Sequence, residues 1–312
     1  MRTRELDRPA QPAATYAAAR ARFEASLAQD SPLVDTASRS QLIGPGHRTD
    51  RVIVFFHGLT NSPQQFLRLA SRFTQHGYTV LIPRLPYHGY RDRMSVDLAQ
   101  LTAAQLIDAT AEAIDVAAGL GDRVSVSGIS LGGVLAVWAA QFRPVALAAP
   151  IAPAIGIPQL PPAPARLLFD LIGRLPNRFM WWDPRVKDAL LGPAYAYPRF
   201  STHALAQTQA LGYALLDEAR VTPPRAERVW MISNAADLAV SNTAAEWLAA
   251  RWREAGARNV RSFRFPRCLK LFHDLVDPLQ PNARPDVVHP VLEQIMVTDT
   301  APNPQRLCEQ AR

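Results

Sequence analysis

Cysteine, lysine and long apolar runs are what this 312-residue sequence has least of. Its two cysteines, Cys268 and Cys308, are too few for a disulfide framework, and one lies in the C-terminal tail. No Cys/His cluster is spaced for a metal, and no glycine-rich loop of the phosphate-cradling kind occurs, so no metal and no cofactor are implied. No segment reaches the ~18 to 20 apolar residues of a membrane span. The opening stretch, Met1 to Arg8, lacks the apolar core of a secretory signal, so a cytoplasmic location is the expectation. All but Lys187 and Lys270 of the 34 basic residues are arginine, and the formal charge is +7. These arginines are scattered and no nucleic-acid motif accompanies them. The charge therefore reads as solvated surface, with no nucleic-acid partner expected.

What is present suffices for a large core, with 48% hydrophobic residues. Apolar runs at 51–56, 78–82, 123–127, 145–151, 228–233 and 259–265 predict strands. Between several of them lie helical patterns, at 63–75, 98–120, 133–140 and 241–256. Ser62 offers a cap and Pro63 a first position for the first of these, and Gly77 stands just past its end. Alternating strand and helix predicts an α/β fold, a mostly parallel twisted sheet with helices on both faces and the site at the strands' carboxyl ends. An alanine-rich helix at 15–28 and short strands within 31–49 would form an N-terminal arm over residues 1–50. Residues 51–153 and 226–312 would form the core. The stretch 154–225, rich in proline and aromatics, would be an insertion with helices near 166–175 and 202–218.

The chemistry concentrates at strand ends. Gly128-Ile-Ser130-Leu-Gly132 joins a strand to a buried helix, and a serine at such a turn is held in a strained conformation with its hydroxyl lifted clear. The amide of Leu131 then points at any oxyanion forming beside Ser130. A second amide is expected after His57-Gly58, at Leu59, while His57 itself reads as a brace for that loop. Asp237 lies just beyond the 228–233 strand, where it can fix a histidine tautomer. His273 lies in the loop after the last strand, where it can reach the serine. Asp274 and Asp277 are too near His273 in sequence to be its partner and read as braces of the same loop.

The order Ser130, Asp237, His273 is that of the α/β-hydrolases. The chain resembles the carboxylesterase and monoacylglycerol-lipase-like group of that superfamily in the His57-Gly58 loop, the 83–89 segment, the serine turn and the late Asp and His. The resemblance covers roughly residues 50–150 and 226–300. It implies an ester hydrolase working through an acyl-enzyme on small to medium apolar acyl esters. It also implies a lid at 154–225 whose Trp181 and Trp182 bind substrate. Where the group often has Gly-His-Gly, Tyr87 stands for the first glycine and would put an aromatic near the pocket. Thioesterases, amidases, peptidases and acyltransferases use the same triad, and a binding protein on this scaffold or a peripheral membrane protein are the alternatives from other classes. Epoxide hydrolases and dehalogenases are disfavoured, since they need a carboxylate where Ser130 stands.

Overall fold

The computed structural model describes residues 3–158, 160–185 and 192–310. The strands are β1 (Gln41–Ile43), β2 (Thr49–Phe56), β3 (Tyr78–Ile82), β4 (Gly121–Ile129), β5 (Leu147–Ile151), β6 (Phe179–Trp181), β7 (Arg199–Ser201), β8 (Val229–Asn234) and β9 (Val260–Phe265). Seven of them form one sheet in the order β1-β3-β2-β4-β5-β8-β9, in which only β1 runs antiparallel. The central strands are buried on both faces, which is why they read as unbroken apolar runs: Val52 to Phe56 have no exposed surface at all. Phe55 stacks on Phe66 at 4.9 Å and meets Phe73 edge-on at 5.3 Å, locking the first crossover helix to the sheet.

The helices are α1 (Thr3–Leu6), α2 (Tyr16–Ala28), α3 (Leu67–Gln75), α4 (Ala103–Leu120), α5 (Leu131–Phe142), α6 (Pro162–Ile172), α7 (Thr202–Glu218), α8 (Asn242–Glu254), α9 (Pro285–Thr298) and α10 (Pro304–Gln310). Ser62 caps a 3-10 turn leading into α3, and Ser241 caps α8. Thr102 and Gln105 close a capping box on α4. The N-terminal helix is part of the body: α2 packs on α4 so closely that a Cβ on Gly119 would lie 2.8 Å from Ala13, Ala19 and the Thr15 carbonyl. The Trp138 indole N–H donates to the Leu6 carbonyl at 2.8 Å, tying α5 to α1.

The structure divides the central stretch and pairs the two cysteines. The stretch 154–225 is not one insertion. Neighbouring parallel strands β5 and β8 require a crossover helix on one face of the sheet, and α7 is that helix. It is buried along Ala204, Leu211, Leu215 and Leu216 against α4, α5 and α8. Before it, α6 packs on α7, and the small β6-β7 ribbon lies over the strand ends, where Trp181 and Trp182 share a cavity with Ser130. The two cysteines are also paired: Cys268 and Cys308 form a disulfide with Cα atoms 5.8 Å apart, which joins α10 to the segment leading to His273. Two cysteines separated by 40 residues give no spacing from which such a bond is read.

A cross-link closing a loop of that length restricts the unfolded chain by about 4 kcal/mol. Reduction is expected to lower the melting temperature by roughly 5 °C. Scanning calorimetry with and without a reductant tests this, and an unchanged transition would mean that the bond adds nothing.

Candidate active site

Ser130 sits at the end of the central strand β4, one residue before α5, with φ 59° and ψ −115°. That conformation is sparsely populated for a side-chain-bearing residue and costs of order 1–3 kcal/mol. It is over-determined by its surroundings. The Ser130 amide donates to the Ile151 carbonyl at 3.0 Å, and its own carbonyl accepts from Ala154 at 3.0 Å and Val134 at 3.1 Å. The strand and helix approach so closely that a Cβ on Gly132 would come within 1.9 Å of the Phe56 carbonyl oxygen, and one on Gly128 within 2.4 Å of the Gly132 carbonyl oxygen. Leu131 is the first residue of α5, so its N–H lies at a helix start where no intrahelical acceptor exists.

The acid and the histidine are brought together across the neighbouring loops. Asp237, whose side chain is fully buried, accepts through Oδ2 from the Nδ1–H of His273 at 2.8 Å. Its Oδ1 accepts the amides of Ala239 at 2.8 Å and Val240 at 3.3 Å, so the carboxylate is aimed by its own turn. With Nδ1 protonated, Nε2 carries the lone pair. Burial disfavours the charged ring of His273. The hydrogen bond to Asp237 and the negative charges of Asp237 and Asp274 outweigh that cost, and the pKa is raised above 6.5. Asn234, at the end of β8, is a member of this arrangement that sequence reading missed. Its Nδ2 donates to the carbonyls of Leu271 at 3.0 Å and Phe272 at 3.1 Å, which pins the histidine loop to the acid loop.

The loop after β2 brings Leu59 beside the serine: a Cβ on Gly58 would stand 3.8 Å from that of Ser130. The peptide joining Gly58 to Leu59 is held on every side. The Gly58 carbonyl accepts from His57 Nδ1 at 3.0 Å and from the Asn61 amide at 3.1 Å. The Leu59 carbonyl lies 2.6 Å from His88 Nε2, and the Pro86 carbonyl 2.8 Å from Nδ1 of the same ring. Because a trans peptide is planar, fixing the Gly58 carbonyl aims the Leu59 N–H the opposite way. His57 also accepts the Leu85 amide at 3.1 Å, so it is a brace, as its sequence context suggests. Burial, with His88 beside it, pushes its pKa well below 6.5 and keeps it neutral. Burial likewise pushes His88 down to about 4.

Asp274 and Asp277 form an acidic pair in the loop that follows His273, where the Asp277 amide donates to Asp274 Oδ1 at 3.2 Å. Asp274 Oδ2 accepts from the amides of Asn61 (3.1 Å), Gln65 (2.8 Å) and Gln280 (2.9 Å). Asp277 Oδ1 accepts from the Tyr195 hydroxyl at 2.7 Å. Burial and the charge of Asp274 push Asp277 up to about 6. Tyr195 belongs to the segment projecting over the strand ends, and that segment is strapped down elsewhere too. Trp182 Nε1 donates to Thr60 Oγ1 at 2.8 Å, and the Tyr197 amide donates to the Thr60 carbonyl at 2.7 Å.

Ser130 and His273 both open into a cavity of about 570 Å³, which Leu59, Trp181, Trp182 and Tyr197 also line. Tyr87 does not line it. Its backbone takes the positive φ of 65° that a glycine would adopt freely, and its hydroxyl accepts from Gln105 Nε2 at 3.0 Å. Tyr197, which does line the cavity, bonds through its hydroxyl to the Tyr87 carbonyl and the Tyr90 amide, each at 3.0 Å. Among the described residues no group of three or more metal-ligating side chains occurs.

The glycine contacts generate a test that needs no substrate. In Gly132→Ala the new methyl meets backbone, which cannot step aside, so a loss of roughly 3 kcal/mol or more is expected. Gly58→Ala, whose nearest atoms would lie 3.8 Å away, should shift the denaturation midpoint far less. Equal shifts in urea unfolding would mean that the strand–helix approach is not what excludes a side chain.

Comparison with known proteins identifies the fold and the family. A thermostable monoacylglycerol lipase of Bacillus sp. (strain H-257) is 28% identical over 109 residues, which are 35% of this chain and 42% of the lipase. The chain thus matches less than half the length of that relative. A solved chain from work on LipS and LipT, two metagenome-derived lipolytic enzymes, superposes with a TM-score of 0.62 at 19% identity, covering 86% of this chain and 100% of the other. The monoacylglycerol lipase of Paleococcus ferrophilus gives 0.57 at 18% identity, covering 84% and 98%. Both share the fold. The family model described as alpha/beta hydrolase family matches residues 53–306, from the second strand to the last helix, and the chain belongs to that family.

Proposed function

We propose that this protein is a serine hydrolase that cleaves carboxylic esters through an acyl-enzyme. The observation that carries the reading is the Asp237–His273 pair at 2.8 Å opening into the same cavity as a serine held at φ 59°. In this reading His273 Nε2 takes the Ser130 proton as the hydroxyl oxygen attacks the ester carbonyl. The amides of Leu59 and Leu131 stabilise the oxyanion, and Asp237 stabilises the imidazolium. The protonated histidine then delivers its proton to the departing alcohol. Water, deprotonated by the same nitrogen, releases the acid and regenerates Ser130.

The cavity's size and its walls of Ile129, Trp181, Trp182, Tyr197, Leu238 and Phe272 suit acyl groups of small to medium length. The segment around β6 and β7 acts in this reading as the lid, with Trp181 and Trp182 on its inner side. That the named relatives are lipases and lipolytic enzymes supports the ester as substrate class. No helix among the described residues is long and apolar enough to cross a membrane. The cytoplasmic location expected from sequence fits poorly with the Cys268–Cys308 disulfide, because cytosolic thiols are kept reduced; an oxidising compartment suits the bond better.

Wild type should give a burst of p-nitrophenol from short and medium acyl esters, and Ser130→Ala should give none while remaining folded. An alanine variant with wild-type turnover would refute the nucleophile. A folded wild type that is labelled by a fluorophosphonate yet hydrolyses no ester would move the substrate to a thioester or amide.

Because turnover needs neutral His273, whose pKa is raised, kcat/KM is expected to fall with acid through a midpoint above 6.5. Asp237→Asn, which no longer holds the reactive tautomer, is expected to lose about 10⁴-fold in kcat. An acid limb unchanged in position in the asparagine variant would show that Asp237 does not set the histidine's basicity.

A further inference from the structure

One buried polar side chain near the site takes no part in the proton transfers. Gln65 lies on the 3-10 turn Pro63–Phe66 and is 2% exposed. Its Oε1 accepts the Gly58 amide at 2.9 Å, and its Nε2 donates to Asp274 Oδ2 at 2.8 Å. These partners fix which end of the amide is which: only oxygen can face a backbone N–H, and only nitrogen can face a carboxylate. The Gly58 carbonyl is already held by His57, and the Leu59 carbonyl lies against His88. Gln65 supplies the remaining restraint, on the amide preceding the peptide that offers the Leu59 N–H. Glycine has the widest backbone freedom of any residue, so without that restraint nothing intrinsic to position 58 holds the peptide still. The other end of Gln65 reaches the residue next to His273.

We propose that Gln65 is a positioning residue that registers the oxyanion-binding peptide Gly58–Leu59 against the loop bearing His273. The proposal rests on the serine-hydrolase reading above. Its consequence is specific: the donor to the oxyanion and the general base are held by one neutral side chain, so disturbing it weakens the tetrahedral state more than the substrate complex. A neutral amide is required there. Glutamate has the same shape but would set a second anion against Asp274. The titratable groups facing position 65 or its bonded neighbours are Asp274 and Asp277, His273 with Asp237, His57 and Tyr195.

The test compares Gln65→Met, which keeps length and volume but loses both hydrogen bonds, with Gln65→Glu. Rates are expressed per serine titrated by a fluorophosphonate, so that any misfolded fraction drops out. Gln65→Met is expected to lose about 10- to 100-fold in kcat with KM within about threefold. Its affinity for an aryl trifluoromethyl ketone, which forms an anionic hemiketal on the serine, should fall by the same factor. Gln65→Glu should be worse than the methionine variant at pH 8 and should recover relative to wild type as pH is lowered towards 6. There a proton shared with Asp274 restores one donor and one acceptor. Unchanged kcat in Gln65→Met, or a rise in KM alone, would overturn the proposal, and so would a Glu-to-wild-type ratio independent of pH. A wild type whose Ser130 takes no fluorophosphonate would instead remove the underlying reading, and this proposal with it.

Discussion

The near-contact between the end of β4 and the start of α5 is the constraint on which the rest of the molecule is arranged. A helix that begins one residue after a central strand must turn back over that strand, and the space left admits no side chain at 128 or 132. Ser130 is forced into a conformation it would not choose, and the cost is borne by the surrounding sheet, whose central strands exclude water completely. Burial of one large apolar side chain contributes about 1.5–3 kcal/mol, so even two of the phenylalanines on β2 and the turn after it offset the local strain. Rigid strands also explain the accuracy of the site. The carbonyl of Phe56, the end of β4 and the end of β5 are in hydrogen-bonded register, so the loops that leave them start from fixed points.

Beyond that frame, neutral amides organise the site where charges might be expected. Asn234 ties the acid loop to the histidine loop, and Asn61 and Gln65 tie the loop after β2 to Asp274. An amide presents a donor and an acceptor together, so it can satisfy a carboxylate and a backbone group at once without adding a buried charge. The acids here are correspondingly short of cations. Burial keeps the pKa of Asp274 up, burial and the charge of Asp274 keep that of Asp277 up, and Asp274 adds to the negative field that keeps His273 basic. The projecting segment joins the same cluster through Tyr195, so the cover of the cavity and the base beneath it share an anchor.

Sequence disclosed the parallel strands because strands buried on both faces must be apolar throughout, and it offered Ser130, Asp237 and His273 as candidates because each lies at or in the loop after a predicted strand. Trp181 and Trp182 were expected at the pocket from the lid that the resemblance implies, and both line the cavity. Sequence misjudged Tyr87, since a residue in a glycine-like conformation turns its side chain where the backbone sends it, here towards α4. α7 was legible as a helix near 202–218 but was assigned to the insertion, because the prolines before it gave no sign of where the crossover begins. The helix α9 went unread because Pro290 sits within it and Pro285 opens it, and proline is ordinarily a sign of interruption. Gln65 and Asn234 carry no local pattern at all. Each matters through partners distant in the chain, Asp274 for one and the 271–272 carbonyls for the other.

The packing of α1 and α2 bears on where this domain truly begins. The stretch shared with relatives starts inside β2, at residue 53, and stops at 306. Yet Trp138, with no exposed surface, depends on the Leu6 carbonyl for its indole hydrogen bond, and the face of α4 around Gly119 is shaped to receive Ala13 and Ala19. Cys308, one half of the disulfide, also falls outside the shared stretch. The unit defined by ancestry is therefore smaller than the unit defined by folding. A fragment cut to the ancestral limits would carry every group of the candidate site, but with an indole stripped of its acceptor, an apolar helix face opened to water, and a thiol with nothing to pair with.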